Sequence, residues 1–563
     1  MFASKSSIFL YLILLTGCVL QGVVAMLTSL NRTEVAHLGA ASYFWRTGRF
    51  DLFHVNSPLG RMLTGWPTVL PGTQHDLTPY SPRPQDRSEW AVGESFVKSN
   101  SPEVVWRTYV LGRLMCIPII LAGGIAGSVL ARQMFGKGSA VVYAVLWSFS
   151  PLFLGWSPTM CPDMIAASLG IIAVYFFRRW LIGPTWKRAV VAGIFLGLLP
   201  LAKMTWILAF GLFPLIWLLS TERPAWKQMA VIMLLALYML NMGYGFDGTL
   251  RPLKDYDFIS RSLGDRNGEG TSNRFAGSLL GHVPVPLPSE FVLGIDTQKR
   301  DFENGIESYL FGRYSNHGWW YYYFVVLPLK EPTGTLLLFA LAVFLAIFNR
   351  DYRASRNDEL LILLPFAVLF LTVTMQTGFS IHPRYILPAM PFFYLFASRT
   401  GKVFSSSKRP LRGIVTLSLA ATVIGSLWVY PYSMSYINEL VPVRKRPELV
   451  LGSNIDWGQD AWFLKRWVDQ HPEIPSIRIE YPCPEKIERV GVKSSGPPPM
   501  IPEPGWFALG INDIYASSGK YAYFKGIDPV DRIGYSIEVF HLSEADVRRL
   551  REQYHFEEPE EMP

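Results

Sequence analysis

In the stretch Thr33-Glu34-Val35-Ala36-His37-Leu38, a carboxylate and an imidazole stand one helical turn apart, at i and i+3. Beside apolar surface, such a pair suits a general base. The same pair on a solvated interfacial helix has no chemistry to perform. Asp163 follows Pro162 at the start of an apolar run, where proline fits a first helical turn and the helix dipole favours an acid. That pattern fits a functional acid and a plain helix start equally. Lys203 and Arg384 are isolated bases between apolar runs, suited to an anion such as a lipid phosphate, or to snorkelling toward headgroups. Arg384 follows Ile381-His382-Pro383, which puts a second imidazole, His382, beside it.

The elements that must position these groups are long and apolar. Half of the 563 residues are hydrophobic and 14% are aromatic. They fall in blocks at 8–28, 109–131, 138–157, 163–180, 188–202, 204–220, 228–246, 333–348, 359–376, 384–398 and 412–430. Blocks of this kind suit a bilayer better than a soluble core, so about eleven helical spans are expected. Leu15-Thr16-Gly17-Cys18 has the form of a lipoprotein cleavage site. The apolar run continues to Leu27, so the segment reads as a first span.

Charge gives the chain an orientation. The loops at Arg132/Lys137, Arg178/Arg179/Lys187/Arg188, Arg223/Lys227, Arg350/Arg353/Arg356 and Arg399/Lys402/Lys408/Arg409/Arg412 are basic. The alternate loops are long, or carry little Lys or Arg. By the positive-inside rule the basic loops and the N-terminus are cytoplasmic, and the C-terminal part lies outside. Lys203 and Arg384 then sit on the side where this rule disfavours them. A net charge of +8, much of it in the basic loops, needs no nucleic acid to explain it.

Three stretches interrupt the apolar pattern: outer loops 29–108 and 247–332, and a C-terminal part, 431–563. The last has strand-like runs at 477–482, 506–511 and 537–542, and amphipathic helical text at 459–470 and 543–555, the latter opening on Ser543 as an N-cap. A small extracytoplasmic α/β domain is expected there, with a proline-rich loop at 497–504. Trp319-Trp320-Tyr321-Tyr322-Tyr323-Phe324 reads as an interfacial aromatic belt.

Soluble-enzyme motifs are missing. The chain has no G-x-G-x-x-G fingerprint and no Walker loop. Asp255-Tyr256-Asp257 has the spacing of a nucleotide-sugar metal site, but it falls in an outer loop, where such donors are scarce. The four cysteines, Cys18, Cys116, Cys161 and Cys483, form no disulfide framework or metal spacing.

In shared order along nearly the whole chain, these pieces resemble the C-type integral-membrane glycosyltransferases of family 39, the bacterial relatives of protein O-mannosyltransferase and the aminoarabinose transferase. Residues 33–38, with Tyr43-Phe44-Trp45-Arg46-Thr47-Gly48-Arg49-Phe50-Asp51 and Val55-Asn56-Ser57-Pro58-Leu59, look like that family's first outer loop. Pro162-Asp163 resembles its second acidic position, and Leu201-Ala202-Lys203-Met204-Thr205 its lysine turn. Tyr309-Leu310-Phe311-Gly312, Gly318-Trp319-Trp320-Tyr321-Tyr322 and His382-Pro383-Arg384-Tyr385-Ile386-Leu387-Pro388 are similar to its aromatic and basic stretches. Ser453-Asn454-Ile455-Asp456-Trp457-Gly458-Gln459-Asp460 is similar to a signature after the last span.

The resemblance implies an inner (plasma) membrane enzyme, residues 1–430 being its transferase domain. It would move a sugar from a polyprenyl-phosphate donor to a hydroxyl on a lipid, glycan or protein acceptor, with inversion and without metal or cofactor. Glu34 would take the acceptor proton, Asp163 would orient a substrate, and Lys203 and Arg384 would hold the phosphate, with His37 and His382 beside them. One departure stands out. The family's first loop commonly carries Asp-Glu, and here the Asp position is Thr33. A flippase of lipid-linked sugars would use the same phosphate site without a base, and an inactive membrane scaffold would need neither.

Overall fold

A computed structural model describes residues 5–221, 225–264, 272–405 and 409–556. Arg223 and Lys408, two of the basic-loop residues, lie outside the described residues. The chain is mostly helical, and each of the eleven apolar blocks forms helix. Six helical segments are long and apolar enough to cross a membrane: Ile8–Leu27, Pro102–Phe135, Asp163–Ile182, Trp226–Gly243, Arg356–Met375 and Arg409–Val429. A seventh is added if Tyr322–Lys330 and Thr333–Phe348, bent by 116°, count as one span. The protein is therefore a multi-pass membrane protein. The other blocks make shorter helices. Lys137–Phe149 gives way at Ser150-Pro151 to a second short helix, and the block at 384–398 begins as a 3-10 turn before Met390–Ala397.

The aromatic stretch departs from the expected interfacial belt. Tyr322 and Tyr323 open a helix and are fully buried, while Trp320 and Phe324 remain exposed. The buried pair is held by polar partners deep in the molecule. Asn454 Nδ2 donates to the Tyr322 hydroxyl at 2.8 Å, and the Tyr323 hydroxyl donates to the His382 carbonyl at 3.2 Å. Lys330 ends this helix with its ammonium buried, donating to the carbonyls of Met434, Tyr436 and Asn454 at 2.6–2.9 Å. Three charge-assisted bonds thereby tie the chain that follows the last apolar helix to the bundle.

The basic loops converge. Arg178 grips both oxygens of Asp358 at 2.6 and 3.1 Å, and Arg399 both oxygens of Glu359 at 3.1 and 3.0 Å. Asp163 and Arg178 belong to one helix and stand about 22 Å apart along it at 1.5 Å per residue. The end that carries Asp163 is thus separated from the end that carries the basic loops.

Residues 29–108 are largely helical: Arg32–Thr47, Pro58–Thr64, Glu89–Ser99 and the start of Pro102–Leu114. Arg32–Thr47 and Glu89–Ser99 cross at glycines. A Cβ on Gly93 would lie 2.0 Å from the Val35 carbonyl oxygen, and one on Gly39 would lie 2.5 Å from the Gly93 nitrogen. Only glycine lets these two backbones approach so closely. Residues 247–332 contribute the helix Ser289–Asn304 and the hairpin β1 (Ser308–Leu310) and β2 (Arg313–Ser315).

Beyond residue 446 the strands β3 (Ile477–Glu480), β4 (Gly505–Gly510), β5 (Asp531–Ile533) and β6 (Ile537–Leu542) form one sheet in the order β3-β4-β6-β5. β3 runs parallel to β4, and the other pairings are antiparallel. Ala461–Gln470 and Glu544–Tyr554 are the two amphipathic helices. Ser543 caps the second in a capping box with Asp546.

Candidate functional site

A cavity of about 530 Å³ opens among segments read from the sequence as outer. One wall is Thr33, Phe53, Asn56 and Trp90 from the first loop, and another is Gln298, Asp301 and Phe302 from the second. Lys203, His382, Arg384 and Tyr385 line it from the apolar helices, and Trp457 from the C-terminal part. The loop wall is held by Arg61, whose buried guanidinium donates to the carbonyls of Leu52, Phe53 and Asn56.

At its base two cations share one carboxylate. Asp163 is buried at the N-terminus of its helix, with Lys203 Nζ donating to Oδ1 and Arg384 Nη1 donating to Oδ2 at 2.9 Å. Both cations also pack on Tyr385, 5.0 and 5.1 Å from its ring centroid. With one negative charge against two positive ones, the cluster keeps an excess positive charge beside the cavity. Arg384 has further capacity, because its buried Nε has no partner. Neither cation snorkels: both are mostly buried and paired.

The sequence-derived site residues divide here. Lys203, His382 and Arg384 line the cavity, and Asp163 sits beneath it, joining two of them. Glu34 and His37 do not line it. Glu34 is fully buried, and both its oxygens are taken. Oε1 accepts from Arg113 Nε and the Met160 amide, each at 2.8 Å; Oε2 accepts from Arg113 Nη2 at 2.5 Å and the Asn31 amide at 3.0 Å. It is the acid of a capping box with Asn31, locked by a two-pronged arginine. The pattern Asn31-Arg32-Thr33-Glu34 signals such a box in the sequence. A carboxylate with four N–H donors has no free face for an acceptor proton. His37 lies behind the wall, edge-on to Phe53 at 4.9 Å between ring centroids. Burial and then Arg384 push its imidazole down to about 3, so it is neutral. His382 is held well below its ordinary range by the same two causes, while its Nδ1 meets the Ser453 hydroxyl at 2.8 Å.

Thr33, at the family's Asp position, does line the cavity. Its hydroxyl oxygen accepts the Trp457 indole N–H at 2.7 Å. Trp457 in turn lies 4.9 Å from the His382 ring and 5.9 Å from the Arg32 guanidinium.

Residues 112–242 match the family described as dolichyl-phosphate-mannose-protein mannosyltransferase. Those residues are 131 of the chain's 563, and over them it is similar to that family. The match takes in Asp163 and Lys203, one carboxylate and one cation of the cluster. No curated protein matches the chain. Among solved structures it is similar to ArnT from Cupriavidus metallidurans bound to undecaprenyl phosphate, at 11% identity and a TM-score of 0.48 over 95% of this chain and 98% of that one. It is also similar to the Archaeoglobus fulgidus oligosaccharyltransferase AglB in complex with an inhibitory peptide and a dolichol-phosphate, at 11% identity and a TM-score of 0.45 over 90% and 70%.

Several residues of the cavity carry no signal in the sequence. Arg87 donates to Glu89 at 2.6 Å and also pairs with Asp301, joining the two outer loops. Asp301 sits in the charged string Lys299-Arg300-Asp301, which reads as solvated loop until the fold brings it to the cavity. Trp457 was legible only as part of a signature whose role was unknown. The structure explains that signature: Ser29 and Arg32 amides donate to the carbonyls of Gln459 and Trp457, each at 2.9 Å, fastening it under the first outer helix.

Proposed function

We propose that this chain transfers a sugar from a polyprenyl-phosphate donor to a hydroxyl acceptor on a lipid, glycan or protein, at the outer face of the plasma membrane and with inversion. The observation that carries the reading is the pair of buried cations, Lys203 and Arg384, sharing the single carboxylate of Asp163 at the base of the cavity. A donor phosphate would complete the charge balance. As the sugar–oxygen bond breaks, negative charge grows on the phosphate, and fixed cations in a water-poor site stabilise it at no cost in reorganisation. Asp163 acts in this reading by aiming both cations. Residues 1–430 form the membrane transferase unit with a cytoplasmic N-terminus. Residues 431–563 lie outside and complete the cavity through Trp457.

The test is purified protein in detergent, given labelled polyprenyl-phosphate sugar and a pool of hydroxyl acceptors. Release of polyprenyl phosphate with labelled product is expected. Arg384→Ala should weaken donor use at least tenfold, and Arg384→Lys should restore part of it, since a point charge lacks the planar fork. Donor binding without release across the pool would favour a flippase or an inactive scaffold. The family match over residues 112–242 favours the transferase.

A further inference from the structure

With Glu34 locked, Asp163 engaged on both oxygens and a threonine at position 33, the cavity needs another proton acceptor. Among the described residues, Asp301 and Glu307 are the carboxylates that line it. Glu307 is exposed and accepts a bond from the Ser517 hydroxyl at 3.0 Å, at the rim formed with the C-terminal part. Asp301 is different. It lies near the end of Ser289–Asn304, its side chain is 21% exposed, and Arg87 pairs with it through Oδ2. It lines the same cavity as Tyr385, the ring against which Lys203 and Arg384 pack.

Resting on the transferase reading above, we infer that Asp301 is the general base that deprotonates the acceptor hydroxyl, in a position supplied by the second outer loop instead of the first. The acceptor oxygen forms its bond to the sugar's anomeric carbon as its proton passes to the Asp301 carboxylate. The bond from that carbon to the phosphate oxygen breaks, its electron pair stays on the phosphate beside Lys203 and Arg384, and polyprenyl phosphate leaves. Asp301 then loses the proton to solvent through the cavity.

The surroundings suit the task. Burial raises the Asp301 carboxyl above its ordinary range, while Arg87 opposes the rise and keeps a carboxylate available. The charged groups that face it are Arg87 from the turn after residue 86, Glu89 from Glu89–Ser99, and Arg300 on its own helix. Arg87 is a positioning residue: it fixes one oxygen of Asp301, and the other accepts no hydrogen bond from the described residues.

Asp301→Asn and Arg87→Gln both break the Arg87–Asp301 pair, but only the first removes the base. In the detergent assay Asp301→Asn should lose about 10²–10⁴-fold in turnover, with binding of the labelled donor unchanged. Arg87→Gln should lose less and should move the acid limb of the pH profile to higher pH, because a cation that favours the carboxylate is gone. Equal losses in both variants, with no movement of the limb, would overturn the assignment and leave a structural tie. Near-normal turnover of Asp301→Asn would overturn it as well. If the unsubstituted protein binds donor but releases nothing, the transferase reading fails and this inference with it.

Discussion

At the scale of single residues, Asp163 and Glu34 show how one side-chain type does opposite work. Asp163 points two cations toward open space, whereas Glu34 spends every lone pair on its own frame. Removing one partner of a buried ion pair leaves the other charge uncompensated, typically at about 3–5 kcal/mol. Glu34→Gln is therefore expected to lower the thermal stability of the detergent-solubilised protein by about that amount, measured by a fluorescence melt. A stable Gln variant with lost turnover would return Glu34 to catalysis. The sequence carried both meanings of this residue. The capping-box spacing from Asn31 to Glu34 was present, and so was the i, i+3 spacing to His37. What it lacked was Arg113, which lies 79 positions away and arrives only through folding. Lys203 and Arg384 stood out in the sequence because a base in a sparsely charged turn between apolar runs needs a reason, and both line the cavity.

At the scale of elements, the helix Arg32–Thr47 is fixed from three sides: by the Asn31 cap, by the glycine crossing at Gly93, and by the turns around Trp457. Gly93→Ala drives a Cβ into the Val35 carbonyl and must push the helices apart. Overpacking of this kind typically costs about 1–3 kcal/mol. The expected result is a lower melting temperature and reduced turnover, since Thr33 and its wall move with the helix; a neutral Ala variant would show that the crossing yields freely. Apolar periodicity located all eleven blocks but could not say which of them reach across a bilayer. Pro151, Pro200 and Pro388 interrupt or shorten helices whose buried faces are covered by neighbours rather than by lipid. In the C-terminal part the strands that begin at 477, 505 and 537 were legible from the apolar runs at 477–482, 506–511 and 537–542. β5 was not, because three residues carry too short a pattern.

At the scale of the whole molecule, orientation is the first test. A reporter active only outside the cytoplasm should work when fused after residue 440 and fail when fused near residue 355; the reverse outcome would invert the molecule. The C-terminal part makes a second, acid-dependent prediction. Burial raises the Asp456 carboxyl from 3.8 to about 6, and burial lifts Asp513 and Glu485 to about 7. The folded state then binds these protons more tightly than the unfolded chain does. Their contribution to stability is present below about pH 4 and is lost as pH rises through about 6 to 7. Melts of this part should move to lower temperature between pH 5 and 7.5, and Asp456→Asn should flatten that slope. An unchanged slope in the variant would remove Asp456 from the account.

The fastening of Trp457 beneath the first outer helix also sets an order of events in the making of the protein. Ribosomes add residues in sequence, at about 5–20 per second. Val429 ends the last of the membrane-length helices, so the Asp163, Lys203 and Arg384 cluster has been synthesised before Ser453 and Trp457 emerge. Until that stretch has been translated and seated, the cavity lacks a wall and His382 lacks its Ser453 partner. A nascent chain halted before residue 453 would sit in the membrane with this cavity still open on one side.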